Sequence, residues 1–405
     1  MKIFRFELPN GIRCVHHQVK SPVSYCGLVI GTGSRDEQED EHGLAHLLEH
    51  CLFKGTHKRK AYHINNRLEN LGGELNAYTT KEETIIHATT LKTDYSKAAE
   101  LIADIVFNST FPEKEIEKEK EIVRDEINSY KDSPSERIFD EYEDLLFAGS
   151  SLGHNILGTE KSVAKLNSDS LRKFVKNTYN TDNIVFSSVN GFGEKKFNEI
   201  CIKYLSGINV NTSNHKREKF NNNNFFKKKL NRETHQAHCI LGGNAFDVYD
   251  ERRITLALLI NLIGGSSSNS ILNTVVREKA GLSYNIEAGY TPLSDTGIFT
   301  IYFSTEDIYT DHCVELIHTE LKKITSGNLT ERKLSAAKKQ FLGQLYISNE
   351  NNEGLMIGSG RSVLIYDEVH SMEDIAQKIR DITLKDINDV ANEIFGKQMS
   401  MLIYK

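Results

Sequence analysis

Between residues 207 and 232 the chain reads GINVNTSNHKREKFNNNNFFKKKLNR, dense in Asn and Lys, with apolar residues following neither a helical nor a strand period. Such a stretch buries too little apolar surface to fold by itself, so it reads as an exposed linker. It cuts the 405 residues into halves of similar size. That length suits two domains of about 200 residues each. The expected organisation is a first domain at 1–206, a linker at 207–232 and a second domain at 233–405.

The halves read as distant copies of one another. The first runs through Ser24–Ile30, a turn GTGSRDE, a helix, then Asn65–Leu71 and Gly72-Gly73. The second runs through His238–Leu241, GGNAFDVYDE, the helix ITLALLINLI, then Asn273–Lys279 and Ala280-Gly281. The order of elements agrees better than the residues do, which indicates duplication. Strand-like runs at Thr84–Leu91 and Ile298–Ser304 alternate with helical stretches, and Leu8-Pro9-Asn10-Gly11 signals a hairpin. The expected class is α+β: two homologous α/β sandwich domains with mostly antiparallel sheets and helices packed on one face.

Composition narrows the partners. Hydrophobic residues make up 39% and charged residues 26%, a globular balance, and the formal net charge of -6 gives no basic footprint. Neither nucleic acid nor an anionic membrane is an expected partner. The opening MKIFRFELPNGIRCVHH lacks the apolar core of a secretory signal, since Arg5, Glu7 and Asn10 interrupt it. No run approaches the roughly 18 apolar residues of a membrane span. The cysteines at 14, 26, 51, 201, 239 and 313 form no close pair and read as reduced core residues. A cytoplasmic protein is expected.

The segment Gly43–Phe53, GLAHLLEHCLF, carries the strongest chemical signal. On a helix, His46 and His50 stack on one face with Glu49 beside them, while Leu44, Ala45, Leu47, Leu48, Cys51, Leu52 and Phe53 make the rest apolar all round. Two imidazoles and a carboxylate in a buried helix need compensation, because unpaired buried polar groups cost several kcal/mol each, of order 2–7 kcal/mol. A zinc ion supplies it, with neutral imidazoles as ligands and the carboxylate left to handle the proton of a bound water. The spacing is H-x-x-E-H, the inverse of the commoner H-E-x-x-H. Cys51 points away from the two histidines and reads as packing. His42, His57, His63 and His87 read as surface or satisfied polar positions.

Catalytic zinc usually takes three protein ligands, so a third is sought. In IEKEKEIVRDEINSY, residues Ile116, Glu119, Val123, Glu126 and Tyr130 fall on one helical stripe. Acids on a core-directed stripe are seldom buried unless paired or metal-bound. Glu126 is the expected ligand and Glu119 the group that orients a ligand or tunes the site. Spacing alone leaves open that these two roles are exchanged. Glu117, Glu121 and Asp125 read as solvated.

Together these residues resemble the pitrilysin and mitochondrial processing peptidase family, the inverzincins. The similar stretches are GLAHLLEHCLFKGT at 43–56, LGGELNAYTT at 71–80, EKEKEIVRDE at 117–126 and VREKAGLSY at 276–284, and they span both halves. The family's glutamate ligand follows the second histidine by about 76 positions, a spacing that lands on Glu126, and its second glutamate lands on Glu119. The resemblance implies one zinc per chain and an exposed edge strand at Asn76 and Ala77. There an extended peptide would pair main chain to main chain. It also makes Arg277 and Tyr284 the pair that holds a substrate carbonyl and the developing oxyanion. The Gly264-Gly265-Ser266-Ser267-Ser268 stretch is similar to the family's glycine-rich loop, although by itself it is only a flexible turn.

The implied activity is a zinc endopeptidase acting on unfolded peptides or presequence-like segments. Glu49 would be its base, with Glu119 counted among the catalytic residues. In full-length relatives the zinc domain faces the fourth domain, so a chain of this length is expected to form a homodimer enclosing a chamber. Arg277 and Tyr284 of one protomer would then complete the zinc site of the other. Two alternatives stay open: a non-catalytic scaffold subunit, and one half of an obligate heterodimeric processing peptidase.

Overall fold

Alternating strand patterns become two sheets in the computed structural model, which describes residues 2–222, 224–232 and 234–405. Met1, Asn223 of the expected linker and Glu233 at the start of the expected second domain lie outside the described residues. The first sheet is built from β1 (Lys2–Glu7), β2 (Arg13–Gln18), β3 (Val23–Ile30), β4 (Glu74–Thr79), β5 (Thr84–Leu91) and β6 (Ile184–Asn190), in the order β1-β2-β6-β3-β5-β4. The second contains β7 (Lys227–Leu230), β8 (Ala237–Ala245), β9 (Asn285–Pro292), β10 (Gly297–Thr305) and β11 (Ser400–Tyr404), in the order β7-β11-β8-β10-β9.

Duplication is visible in the pairing. In each sheet one parallel pair, β2 with β6 or β7 with β11, is followed by three antiparallel pairs in the same sequence. Mixed α/β layers with mostly antiparallel pairing are the expected class. The hairpin at residues 8–11 joins β1 to β2, with Leu8 N donating to Ile12 O and Gly11 at φ +91°.

The chain divides into two compact units whose boundaries are not those expected. The first holds Met1–Asn128, Asn155–Arg217 and Ser348–His370; the second holds Ser129–His154, Glu218–Ile347 and Ser371–Lys405. Each half of the sequence gives one helix to the other unit. Helix Pro134–Leu146 packs Ile138, Tyr142 and Leu146 against Ile240, Tyr302 and Leu402 of the second sheet. Helix Asn352–Tyr366 lies on the first sheet, where the Ser187 hydroxyl donates to Met356 O and Ser359 Oγ lies 2.7 Å from His17 Nε2. Both sheets therefore carry helices on both faces, not on one. An amphipathic helix needs an apolar surface, and nothing local in its sequence says which sheet provides it.

The expected linker is more ordered than its composition suggests. Residues 211–217 run as an extended segment whose odd positions turn inward: Asn211 Nδ2 donates to Tyr179 O, Ser213 N to Asn180 Oδ1, and Arg217 forms an ion pair with Asp36. Lys227–Leu230 is strand β7. The alternation of inward and outward residues is present, but every inward residue is polar, so hydrophobic periodicity cannot reveal it. All six cysteines are free and buried.

Candidate metal centre

Helix Leu44–Leu52 buries Leu44, Ala45, Leu47, Leu48, Cys51 and Leu52 in the core of the first unit. Its polar face carries His46, Glu49 and His50. Packing therefore fixes six of the nine helix residues and leaves one stripe for chemistry. Helix Glu113–Lys131 runs beside it, buried through Ile116, Val123 and Ile127, with Glu117, Glu121 and Asp125 exposed.

The ligand atoms of His46, His50 and Glu126 all lie within 4.8 Å of one another. Glu126 Oε2 stands 3.7 Å from His46 Nε2 and 3.7 Å from His50 Nε2. Donors arranged tetrahedrally about 2.1 Å from a zinc ion are separated by about 3.4 Å, so the observed spacings fit one ion. Protonation fits as well. Burial, and then the charge of His50, push His46 down to about 4, which keeps its lone pair free at neutral pH. His50 Nδ1 lies 3.2 Å from Glu119 Oε2, so its N–H is used there and Nε2 faces Glu126. Two imidazoles and one carboxylate match the donor set expected of a catalytic zinc site.

Glu119 has only 5% of its side chain exposed, and its other oxygen accepts from Lys54 Nζ at 2.7 Å. Glu126, at 41%, is open to solvent. That contrast distinguishes two acids whose order spacing alone leaves undecided: the buried one meets the far side of the imidazole, the open one meets both Nε2 atoms.

Glu49 lies on the same stripe, and Thr79 Oγ1 donates to its Oε2 at 2.6 Å. Burial raises the Glu49 carboxyl above its ordinary range. The Thr79 hydrogen bond and His50 draw it down, and Glu126 adds to the rise. Thr79 and Lys54 escape sequence reasoning, since a threonine ending a strand and a lysine after a helix are ordinary. The available signal for Thr79 is the alternation Leu75, Ala77, Thr79 on the face of β4 turned to the helix. Asn76 and Ala77 lie on β4, the last strand of the sheet, opposite His87 and Ile86 of β5. His87 pairs with Glu353 at 3.0 Å.

Arg277 and Tyr284 belong to the second unit. Arg277 sits in a π-helical turn, Asn273–Lys279, a geometry that recurs at functional sites. Tyr284 follows Gly281, which has φ +65°, and is 84% exposed. Among the described residues the metal-ligating group of the first unit is the only one found.

A duplicated α/β fold with one His-x-x-Glu-His helix and one distal glutamate defines a metallopeptidase scaffold in which a single half carries the centre. The chain belongs to the M16 peptidase family: residues 14–160 match the family described as insulinase (peptidase family M16), and residues 165–341 match the peptidase M16 inactive domain. The uncharacterized zinc protease YmxG of Bacillus subtilis is 31% identical over 99% of this chain and 98% of its own length. An uncharacterized zinc protease of Rickettsia bellii is 30% identical over 98% of this chain and 96% of its own. The crystal structure of a protease from Helicobacter pylori has the same fold, with a TM-score of 0.91, 22% identity, and coverage of 100% of this chain and 99% of that one. Among the described residues no helix is long and apolar enough to cross a membrane.

Proposed function

We propose that the protein is a zinc endopeptidase that hydrolyses unfolded peptides or presequence-like segments held as an extended strand along β4. The observation that carries this reading is the convergence of His46, His50 and Glu126 within 4.8 Å, with Glu49 beside them. A zinc ion held there would supply Lewis acidity, lowering the pKa of a water from 15.7 to about 7. Glu49 would take a proton from the attacking water and pass it to the departing amine, with Thr79 holding the oxygen it does not use. Glu119 holds the imidazole of His50 and thereby its lone pair. The free edge of β4, with Asn76 and Ala77, pairs with the main chain of the substrate and ignores most side chains, which suits a peptidase of broad choice.

Arg277 and Tyr284 are assigned to the substrate carbonyl and oxyanion. The exposed Tyr284 ring and the half-exposed Arg277 leave both available to a second chain, in line with a homodimer that completes each site in trans. Peptide is the partner, and a reducing cytoplasmic setting suits six buried free thiols.

Zinc content measured together with cleavage of a quenched fluorescent peptide tests the reading. Wild type should bind one zinc per chain and cleave. Glu49→Gln should keep the zinc and lose roughly 10²–10⁴-fold in kcat, the usual contribution of a positioned base. Zinc without cleavage by wild type would favour the heterodimer, and absence of zinc would favour the scaffold.

A further inference from the structure

Helix Leu44–Leu52 starts at Gly43, which has φ +94° and no side chain to cap the exposed N–H groups. Another residue meets them. Gly43 N donates to Glu37 Oε2 at 3.0 Å and Ala45 N to Glu37 Oε1 at 2.7 Å, while Leu44 N reaches Glu41 O at 3.0 Å. One buried carboxyl thus grips the first turn of the helix, at the end whose dipole favours negative charge. Burial pushes that carboxyl well up, and the two backbone donors and the charge of Lys81 pull the other way.

His46 follows Ala45 directly. The two histidines of the centre are held differently, since His50 Nδ1 meets Glu119 whereas His46 Nδ1 is buried with no hydrogen-bond partner among the described residues. The ring of His46 is therefore placed by its backbone and packing rather than by an outer partner. Whatever sets the first turn of the helix sets His46.

Glu37 is in turn anchored through its neighbour. Asp36 accepts from Gly33 N at 2.9 Å, from Arg217 Nε at 2.9 Å and from Arg217 Nη2 at 2.8 Å, and His215 Nε2 lies 3.0 Å away. Arg217 Nη2 also donates to Gly31 O at 3.0 Å and to Glu82 O at 2.7 Å. Residues 211–217 thus form a strap across two turns, the one that enters the metal helix and the one between β4 and β5. The second of these turns follows Thr79, which holds Glu49.

We propose that Glu37 is a positioning residue of the metal centre, setting His46 through the first turn of its helix, and that Arg217 of the strap holds Glu37 in register. This rests on the zinc peptidase reading. In Glu37→Gln the amide keeps one oxygen for a backbone N–H but turns a donor toward the other. Its zinc affinity, measured by competition with a chromophoric chelator, should weaken at least about tenfold, the scale of lost outer partners. In the zinc-loaded protein kcat should fall at least about tenfold while KM stays within about twofold. Arg217→Ala should move both readings the same way, by less.

A Glu37→Gln protein that melts earlier yet keeps wild-type zinc affinity and kcat would make the contact merely structural and overturn the proposal. Should that variant not fold, Arg217→Ala decides: weaker zinc and lower kcat support the proposal, and wild-type values overturn it. Wild type that binds no zinc would instead remove the peptidase reading, and this proposal with it.

Discussion

Glu119 and His17 show opposite fates for a buried titratable side chain. Glu119 is compensated twice, by the His50 ring and by Lys54. Glu119→Gln keeps the shape but loses the charge on which both contacts draw, so zinc affinity should fall roughly 10–100-fold with little change in melting temperature. Chelator competition beside a thermal melt checks this. His17 is compensated once. The Ser359 hydroxyl donates to Leu355 O, so His17 Nε2–H is the donor to Ser359 Oγ, and His17 Nδ1 is buried without a partner among the described residues. Burial, then the neighbouring His16, hold His17 down at about 4. The folded pKa lies below the unfolded value of about 6.5, so the unfolded chain takes up the proton first as pH falls. Stability is complete above about 6.5 and drains away as pH drops toward 4, by about 2 kcal/mol between pH 7 and pH 5. Urea denaturation at the two pH values should show that loss in wild type and a smaller one in His17→Asn.

Elements differ in how plainly their sequence announces them. The helix Leu44–Leu52 is legible because a wholly apolar surround isolates three polar residues, and the stripe of Glu113–Lys131 because Ile116 and Val123 mark its buried side. The strap at 211–217 is not legible, as its inward residues are Asn, Ser, His and Arg. Glu37 is hidden in the acidic turn of residues 36–41, where nothing local distinguishes a buried acid from solvated ones. Helix Asn352–Tyr366 is readable as a helix, yet its destination is a tertiary matter. Its glycines tell the same story. A Cβ on Gly360 would lie 2.5 Å from Val29 Cγ2 and 3.1 Å from Ser187 Cβ, whereas one on Gly358 meets nothing within 4 Å among the described residues. Alanine gains about 1 kcal/mol of helix propensity at either site. At Gly360 overpacking of about 1–3 kcal/mol outweighs it, so Gly360→Ala should destabilise and Gly358→Ala should stabilise. Urea midpoints of the two variants, compared with wild type, carry the test.

At the scale of the whole molecule the two units play unequal parts, the metal ligands in one and the arginine–tyrosine pair in the other. If sites are completed in trans, two dead proteins should rescue each other. In a mixed dimer of Glu49→Gln with Tyr284→Phe, one site combines the intact Glu49 with the intact Tyr284, and the other has neither. Random exchange would then restore about a quarter of wild-type activity. Completion within one chain would restore none, so peptide cleavage by the mixture separates the two arrangements.

The exchanged helices also set a timetable for synthesis. The first sheet needs Asn352–Tyr366 to cover Val15 and Val185, and those residues leave the ribosome long after the strands they cover. Most multidomain chains can finish an early domain while the later one is still being made. Here neither half can close ahead of the other, and the metal helix waits on a support that is translated about 300 residues after it. A chain cut short before Asn352 would leave Val15 and Val185 bare, so the first sheet and the metal helix beside it stay unfinished until that late segment emerges.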